Sequence, residues 1–244
     1  MSETYYKFLS AEGRGAYTGC PWRLPDGDRP GAWMPPIRGP LRPDGPSVLP
    51  ASGYHLCRLA DLPWWPHATL YLAEAGEERL DGADHVLARE ARLLRRVDAW
   101  NAQTQRRFAV ACASRVMAFV RRPSFAHCER IDPRATAALA AARAAAEGRI
   151  YDHTLRKAET NARAAGKGAG VTWRAAHAAR VCAHAAGHVP SYAAQAAAQA
   201  ASLMPDPAAE RRWQAAWIAA AIGVGPRPGM VVPGGALDAE GVPC

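Results

Sequence analysis

Apolar and polar positions follow two different periods along the chain, and the period changes near residue 100. Before that point, alternating β-branched and aromatic runs predict strands over residues 4–10, 52–57 and 68–78. Residues 84–97 fit a strand and a helix equally well, because their apolar positions match both spacings. The pattern therefore predicts a small α+β module in the first part of the chain.

Beyond residue 100, apolar positions recur at the spacing of one helix face. Phe108, Cys112, Val116 and Phe119 form one such stripe. Alanine fills many other positions, so the helix axes are expected to approach closely. The large apolar groups expected in the core are Phe108, Val116, Phe119, Trp213 and Trp217. The predicted helices span 101–123, 133–148, 150–165, 171–188, 191–203 and 207–222, with Asp132, Pro133, Gly148, Pro207 and Gly223 as end signals.

Proline and glycine mark the connections between these regions. Residues 19–50 are too rich in both to form a helix or a central strand, which predicts a long ordered loop anchored by Trp22 and Trp33. The expected fold class is an α+β N-terminal module followed by an all-α, alanine-rich helical bundle. The expected segments are the module at 1–97, the bundle at 98–224 and a Gly/Pro-rich tail at 225–244.

Composition narrows the class of protein. A hydrophobic content of 49% with 21% charged residues suffices to bury a core, which argues against a disordered chain. Charged and polar residues interrupt every alanine tract, so no membrane span is expected. The N-terminus lacks a basic region followed by an apolar stretch, so we expect no secretory signal and a cytoplasmic protein.

Charge and cysteine content leave several kinds of partner open. The formal charge of +8 is compatible with nucleic acid, an acidic protein or an anionic ligand, although a solvated basic surface is the favoured interpretation. The cysteines form no CxxC pair, which favours reduced, packed thiols over a disulfide framework or a closed zinc site. They are Cys20, Cys57, Cys112, Cys128, Cys182 and Cys244.

Four segments carry a family resemblance. They are FAVACASRVMAF, DPRATAALAAARAAAEG, AAHAARVCAHAAGHVPSYAAQAAAQA and ERRWQAAW. Through them, residues 105–222 resemble the fifth immunity-protein family of bacterial polymorphic toxin systems. The resemblance implies a protein that neutralises a toxin or effector by binding it.

A second pattern lies in the N-terminal module. It consists of Tyr6-Lys7-Phe8, Gly53-Tyr54-His55-Leu56-Cys57 and Leu70-Tyr71-Leu72-Ala73-Glu74. Residues 4–97 thereby resemble a bacterial and phage domain of unassigned function with a YKxF…G[FY]HxC pattern. The same elements are similar to ADP-ribosyltransferase-like folds, which implies NAD binding as an alternative, although Cys57 stands where that family has a small hydroxyl residue.

Candidate chemistry in the module rests on His55, Cys57 and Glu74. His55 and Cys57 share a face if their segment is a strand, so a nucleophile–base pair and half of a metal site are both open, with a buried structural pair as the favoured interpretation. Glu74 on a following strand is the candidate catalytic carboxylate. Trp64 and Trp65, with Tyr54, offer flat faces on which a base or nicotinamide stacks; anchoring of the proline-rich loops is the simpler interpretation.

Three histidines form the candidate metal site of the helical part. His177, His184 and His188 fall within about 20° of one helix line. The i, i+4 pair suits a zinc ion, but no carboxylate nearby completes a usual site, so helix packing is the favoured interpretation. No cofactor is therefore expected, with NAD and zinc as alternatives. The leading hypothesis is a protein that binds a toxin or effector and performs no chemistry; the third is nucleic-acid binding through the basic surface.

Overall fold

The computed structural model describes residues 3–15, 18–42, 53–120, 131–167 and 173–224, except the side chain of Trp173. Chain contacts divide the protein into two compact units, Met1–Trp100 and Asn101–Cys244. The predicted tail at 225–244 lies outside the described residues. The first unit is antiparallel β structure with one 3-10 helix, and the second is helical, so the predicted fold class is confirmed.

Within the described part of the first unit, six strands form two small antiparallel sheets. One sheet has the order β1-β3-β6 and the other β2-β5-β4. The 3-10 helix, Leu59–Trp64, follows the second strand. The strands are β1 (Tyr5–Leu9), β2 (Tyr54–Leu56), β3 (Thr69–Ala75), β4 (Arg79–Asp81), β5 (Val86–Ala88) and β6 (Ala91–Arg96).

Pairing decides the segment that the sequence left ambiguous. Residues 84–97 form two strands, because β5 pairs with β2 and β4 while β6 pairs with β3. β3 is the central strand of its sheet, and its Leu70, Tyr71 and Ala73 are all buried. The short β4 was not predicted, since its Arg79 and Asp81 are exposed and only the intervening Leu80 is apolar.

The proline-rich loop is ordered over its described residues, 19–42, and runs beside β6 and the residues just before it, while the predicted residues 43–50 lie outside the described residues. Its amides at Gly31, Met34 and Ile37 donate to carbonyl oxygens of Leu93, Ala91 and Arg89 at 2.8–3.0 Å. Only glycine fits at position 31, because an added Cβ would lie 2.2 Å from the Arg23 carbonyl oxygen. Trp22 is buried, and the half-exposed Trp33 lies under the Arg92 guanidinium at 4.8 Å.

The described residues of the second unit form six helices. Asp132 caps the second helix with a side-chain oxygen and Gly148 and Gly223 follow their helices at φ 73°, as predicted. Asp206, which the sequence did not single out, caps the last helix in the same way. The first helix packs against four others, the second, fourth, fifth and sixth. The helices are α1 (Ala102–Val120), α2 (Pro133–Ala146), α3 (Asp152–Ala165), α4 (Trp173–Ala185), α5 (Pro190–Ala201) and α6 (Pro207–Ala221).

The predicted helical core is largely confirmed. Phe108, Val116, Trp213 and Trp217 are buried, and the ring centroids of Phe108 and Trp217 lie 5.2 Å apart. The prediction for Phe119 was wrong, because its side chain is only half-buried. The stripe turns outward at the end of α1, where Met117 and Val120 are buried instead.

Candidate functional site

His55 lies in a cluster of aromatic rings. Its ring stacks on that of His85 with centroids 4.8 Å apart, and it meets the edge of Trp65 at 6.4 Å. His85 Nδ1 is 2.7 Å from Asp84 Oδ1, and Trp65 Nε1 donates to the Asp84 carbonyl oxygen. These contacts join β2 to the residues just before β5 and to the residue after the 3-10 helix.

Cys57 has the environment of a packed thiol. It is buried just beyond β2, and its backbone exchanges two hydrogen bonds of 2.8 Å with Tyr6. Burial raises the pKa of the thiol to about 12, because the apolar surroundings disfavour the thiolate. A thiol nucleophile reacts as the thiolate, so these surroundings hold Cys57 in its unreactive form at neutral pH.

Glu74 is engaged on another part of the unit. Its carboxylate accepts from Arg92 Nε on β6 at 2.7 Å, and the Arg92 guanidinium lies over the Trp33 ring. Glu74 thus pairs with Arg92, whereas His55 and Cys57 both have Lys7 among their neighbours. A nucleophile–base–carboxylate site requires each group to lie within hydrogen-bond reach of the next, and the Glu74 carboxylate is committed to Arg92.

The predicted stacking residues serve different purposes. Tyr54 packs edge-on against Trp22 at 5.4 Å and donates its hydroxyl to the Pro35 carbonyl oxygen at 2.7 Å. Trp65 is fixed by its bond to Asp84. Trp64 is exposed by 42% of its surface. Tyr54 and Trp65 thus hold loops in place, while Trp64 presents a ring to solvent.

The three predicted histidine ligands do not share one helix line. α4 ends at Ala185, so His188 lies in the following turn, where it is 51% exposed at its side chain. Burial lowers the pKa of His177, and burial together with Arg163 and Arg180 lowers that of His184 to about 4. Within the described part of the chain, no group of three or more His, Cys, Asp or Glu side chains is arranged to hold a metal ion.

One surface of the helical unit exposes large side chains that a folded protein usually buries. Tyr151 before α3 is 81% exposed, Tyr192 in the first turn of α5 50% and Val189 between them 44%. With the exposed His188, these residues define what we call the α3–α5 face. Exposed aromatic and aliphatic groups in one patch are typical of an interaction surface.

Arg106 on α1 joins the two ends of this face. Its guanidinium donates to the carbonyl oxygens of Gly187 at 3.1 Å and His188 at 2.8 Å. The same group lies 3.7 Å from Asp152, the residue after Tyr151. Arg106 thus satisfies carbonyl groups after the end of α4 and ties that turn to the start of α3.

A chain of charged groups joins the middle of the face. His188 Nδ1 lies 3.9 Å from the Glu159 carboxylate, which accepts from Arg163 at 2.7 Å. Arg163 also hydrogen-bonds the Tyr192 side chain, and the Tyr192 ring meets His184 at 6.4 Å. The face therefore rests on two helices and a turn whose relative positions are held by these contacts.

Sequence reasoning missed most of this face. It singled out His188 for its spacing, but it did not select Tyr151, Val189 or Tyr192. The available signal was a large side chain at a helix start, beside Pro190 and Asp152, in a region otherwise rich in alanine. The exposure of these side chains could be read only from the packing of α4 against α3 and α5.

The fold and this face define a two-unit protein, antiparallel β structure followed by a helical unit with an exposed aromatic patch. No protein-family model, curated protein or solved structure matches the chain. The two family resemblances therefore remain interpretations of the residue patterns. Among the described residues, no helix is both long and apolar enough to cross a bilayer.

Proposed function

We propose that this chain is an interaction protein of a bacterial conflict system that neutralises a toxin or effector by binding it. The observation that carries the proposal is the exposure of Tyr151 and Tyr192 on the α3–α5 face. Tyrosine is enriched among the residues that dominate protein–protein binding energy, because it buries a large rigid surface and keeps a polar tip. The face also lies within residues 105–222, the segment that resembles an immunity family.

The charges around the face indicate the surface chemistry expected of the partner. Arg156, Lys157 and Arg180 are exposed, as is part of Arg163. The nearby carboxylates, Asp152 and Glu159, lie beside arginines of the same unit. We therefore expect a partner with an acidic rim around an apolar centre, which the positive charge of the chain would attract over a distance.

The enzymatic alternative has less support. NAD turnover in the first unit would need His55 or Cys57 to act together with Glu74, and the Glu74 carboxylate is paired with Arg92. Nucleic-acid binding rests on the net charge alone, and the exposed tyrosines with Val189 form an apolar centre that suits a protein partner better.

The test uses the full chain as bait in an extract of its host. Captured proteins are identified by mass spectrometry, and each is expressed alone and together with the chain in a reporter strain. We expect one captured protein to stop growth when expressed alone and to be harmless beside the wild-type chain. Tyr151→Ala combined with Tyr192→Ala should weaken capture by at least about 100-fold, since anchoring residues contribute 2 kcal/mol or more each.

Leu203→Ala is the matched control. Leu203 is 51% exposed but lies beyond the far end of α5 from Tyr192. This variant should capture and protect like the wild type. Equal capture by the double tyrosine variant, or a set of captured proteins that is harmless on expression, would contradict the proposal.

A further inference from the structure

A trough lies between α1 and α2 on the surface of the helical unit. Its volume is about 620 Å³, which is within the range of small-molecule sites in proteins. Met117 and Leu139 are buried and form its floor, while Ala118 and Ala140 line it at exposed positions. Because an alanine side chain ends at a methyl group, these positions leave the trough open to solvent.

The trough is apolar towards one end and polar towards the other. Gln103 at the start of α1 donates to the carbonyl oxygen of Ala146 at the end of α2, at 3.2 Å, so the two helices run antiparallel. The apolar floor therefore lies towards the start of α2. Arg143 lies one turn further along α2, where its guanidinium donates to the Ser114 hydroxyl oxygen at 3.0 Å.

Arg143 is the charge that the polar end offers to a ligand. Its bond to Ser114 leaves most of the guanidinium donors unused, and it forms no ion pair with the described residues. Glu147 and Arg149, which also line the trough, pair with each other. Two guanidinium groups against one carboxylate leave one positive charge at this end of the trough.

We propose that the trough binds a small amphiphilic monoanion, an apolar chain or ring that ends in a single carboxylate. The apolar part packs on Met117 and Leu139. The carboxylate accepts hydrogen bonds from the Arg143 guanidinium and the Ser114 hydroxyl, since a guanidinium can bind both carboxylate oxygens. None of the lining residues belongs to the α3–α5 face, so this site is independent of the proposed toxin binding.

Decanoate is the probe, and isothermal titration calorimetry of the full chain measures its binding. We expect one site per chain with a dissociation constant below about 1 mM. Acetate carries the same charge without the chain, and decanol the same chain without the charge. Both should bind at least about tenfold more weakly than decanoate, because each lacks one of the two interactions.

Two pairs of variants locate the probe in the trough. Arg143→Gln should weaken decanoate binding about tenfold or more. Its control is Arg134→Gln, which removes an exposed arginine that pairs with Asp132 outside the trough. Ala140→Phe fills the trough and should abolish binding, whereas Ala137→Phe adds the same ring at an exposed position of α2 that does not line it.

All four substituted residues are exposed, so the variants should keep the circular dichroism spectrum of the wild type. If one variant does not fold, the comparison of the three ligands still decides. Absence of decanoate binding, equal affinities for decanoate and decanol, or several weak sites that Arg143→Gln and Ala140→Phe do not affect would overturn the proposal.

A membrane lipid is the other source of a chain with an anionic end. Because the proposed ligand is a free monoanion, co-sedimentation with phosphatidylglycerol vesicles should be the same for the wild type and Arg143→Gln. Loss of co-sedimentation in that variant alone would assign the trough to a lipid headgroup and overturn the proposal.

Discussion

A buried polar network is the clearest residue-scale feature of the helical unit. Glu210 is 2% exposed and accepts from Arg115 at 2.9 Å and from Gln214 at 3.2 Å. Gln214 is fully buried and also bonds Arg211 and the Ala198 carbonyl oxygen. Buried polar groups are costly when they lose a partner, so this network restricts α6 to one register against α1 and α5.

Glu210→Ala should therefore destabilise the helical unit by about 2–4 kcal/mol, because it removes the hydrogen-bond acceptor of both Arg115 and Gln214. Urea denaturation followed by circular dichroism measures the loss. Glu147→Ala is the control, since Glu147 is exposed and pairs only with the exposed Arg149; it should cost less than about 1 kcal/mol. Similar losses of unfolding free energy in both variants would show that the buried network stabilises the unit no more than an exposed ion pair does.

His184 makes the stability of the same unit depend on pH. Its pKa is about 4 in the folded protein, and about 6.5 when the chain is unfolded. Because folding favours the neutral ring, the contribution is complete above pH 6.5 and is lost as pH falls towards 4. We expect a loss of about 1–2 kcal/mol after discounting for the partial exposure of the ring.

His184→Gln should flatten the dependence between pH 6.5 and 4, measured as unfolding midpoints in urea. His153→Gln removes an exposed histidine of α3 and should leave the slope unchanged. A wild-type chain whose midpoint rises as the pH falls through this window would refute the assigned direction.

At the scale of the element, α1 shows that an apolar stripe need not be buried along the whole length of its helix. The stripe at Phe108, Cys112 and Val116 is fully buried, since α4, α5 and α6 pack along it. Phe119 continues the same spacing but is only half-buried. Periodicity predicts which side of a helix faces inward; it does not predict how far along the helix the neighbours extend.

The two phenylalanines should therefore respond differently to truncation. Phe108→Ala should cost about 3–5 kcal/mol, because it leaves a cavity beside Trp217. Phe119→Ala should cost less than half as much, since solvent already reaches the ring. Both values come from denaturant melts of the full chain. Equal costs would show that the two rings are equally buried.

At the scale of the whole molecule, the chain divides between Trp100 and Asn101. Trp100 belongs to the first unit, where its indole nitrogen donates to the His67 carbonyl oxygen and its ring meets Phe8 at 5.4 Å. Asn101 belongs to the second, where its side chain accepts from the first-turn amides of Gln103 and Thr104. Trp100 therefore ends the first unit, and Asn101 caps the first helix of the second unit.

Residues 101–224 should fold without the first unit. We expect a helical circular dichroism spectrum and one cooperative urea transition from this fragment. Residues 122–224 are the control, because they lack α1, against which four other helices pack. That shorter fragment should not unfold cooperatively. A longer fragment that is insoluble or non-helical would count against two separable units.

Local chemistry made much of the fold predictable from the sequence. Asp132 and Asp206 accept amide hydrogens at their helix starts, and Gly148 and Gly223 adopt positive φ at the ends, so helix limits were encoded within a few residues of each end. The opening strand and the ordered proline-rich loop were predicted for the same reason. Apolar alternation and backbone restriction act over short distances along the chain.

Contacts between distant segments decided those features of the fold and of the candidate site that the sequence did not predict. Residues 84–97 became two strands only through pairing with β2, β4 and β3, and the helix line of the three histidines was broken where α4 ends. The α3–α5 face depends on the same kind of contact, since exposure is set by neighbours remote in the chain. The sequence by itself determined most of the helices, their limits and much of the helical core, because these depend on local periodicity and end signals. Only tertiary packing decided the strands within residues 79–97 and which polar and aromatic side chains are paired or presented to solvent.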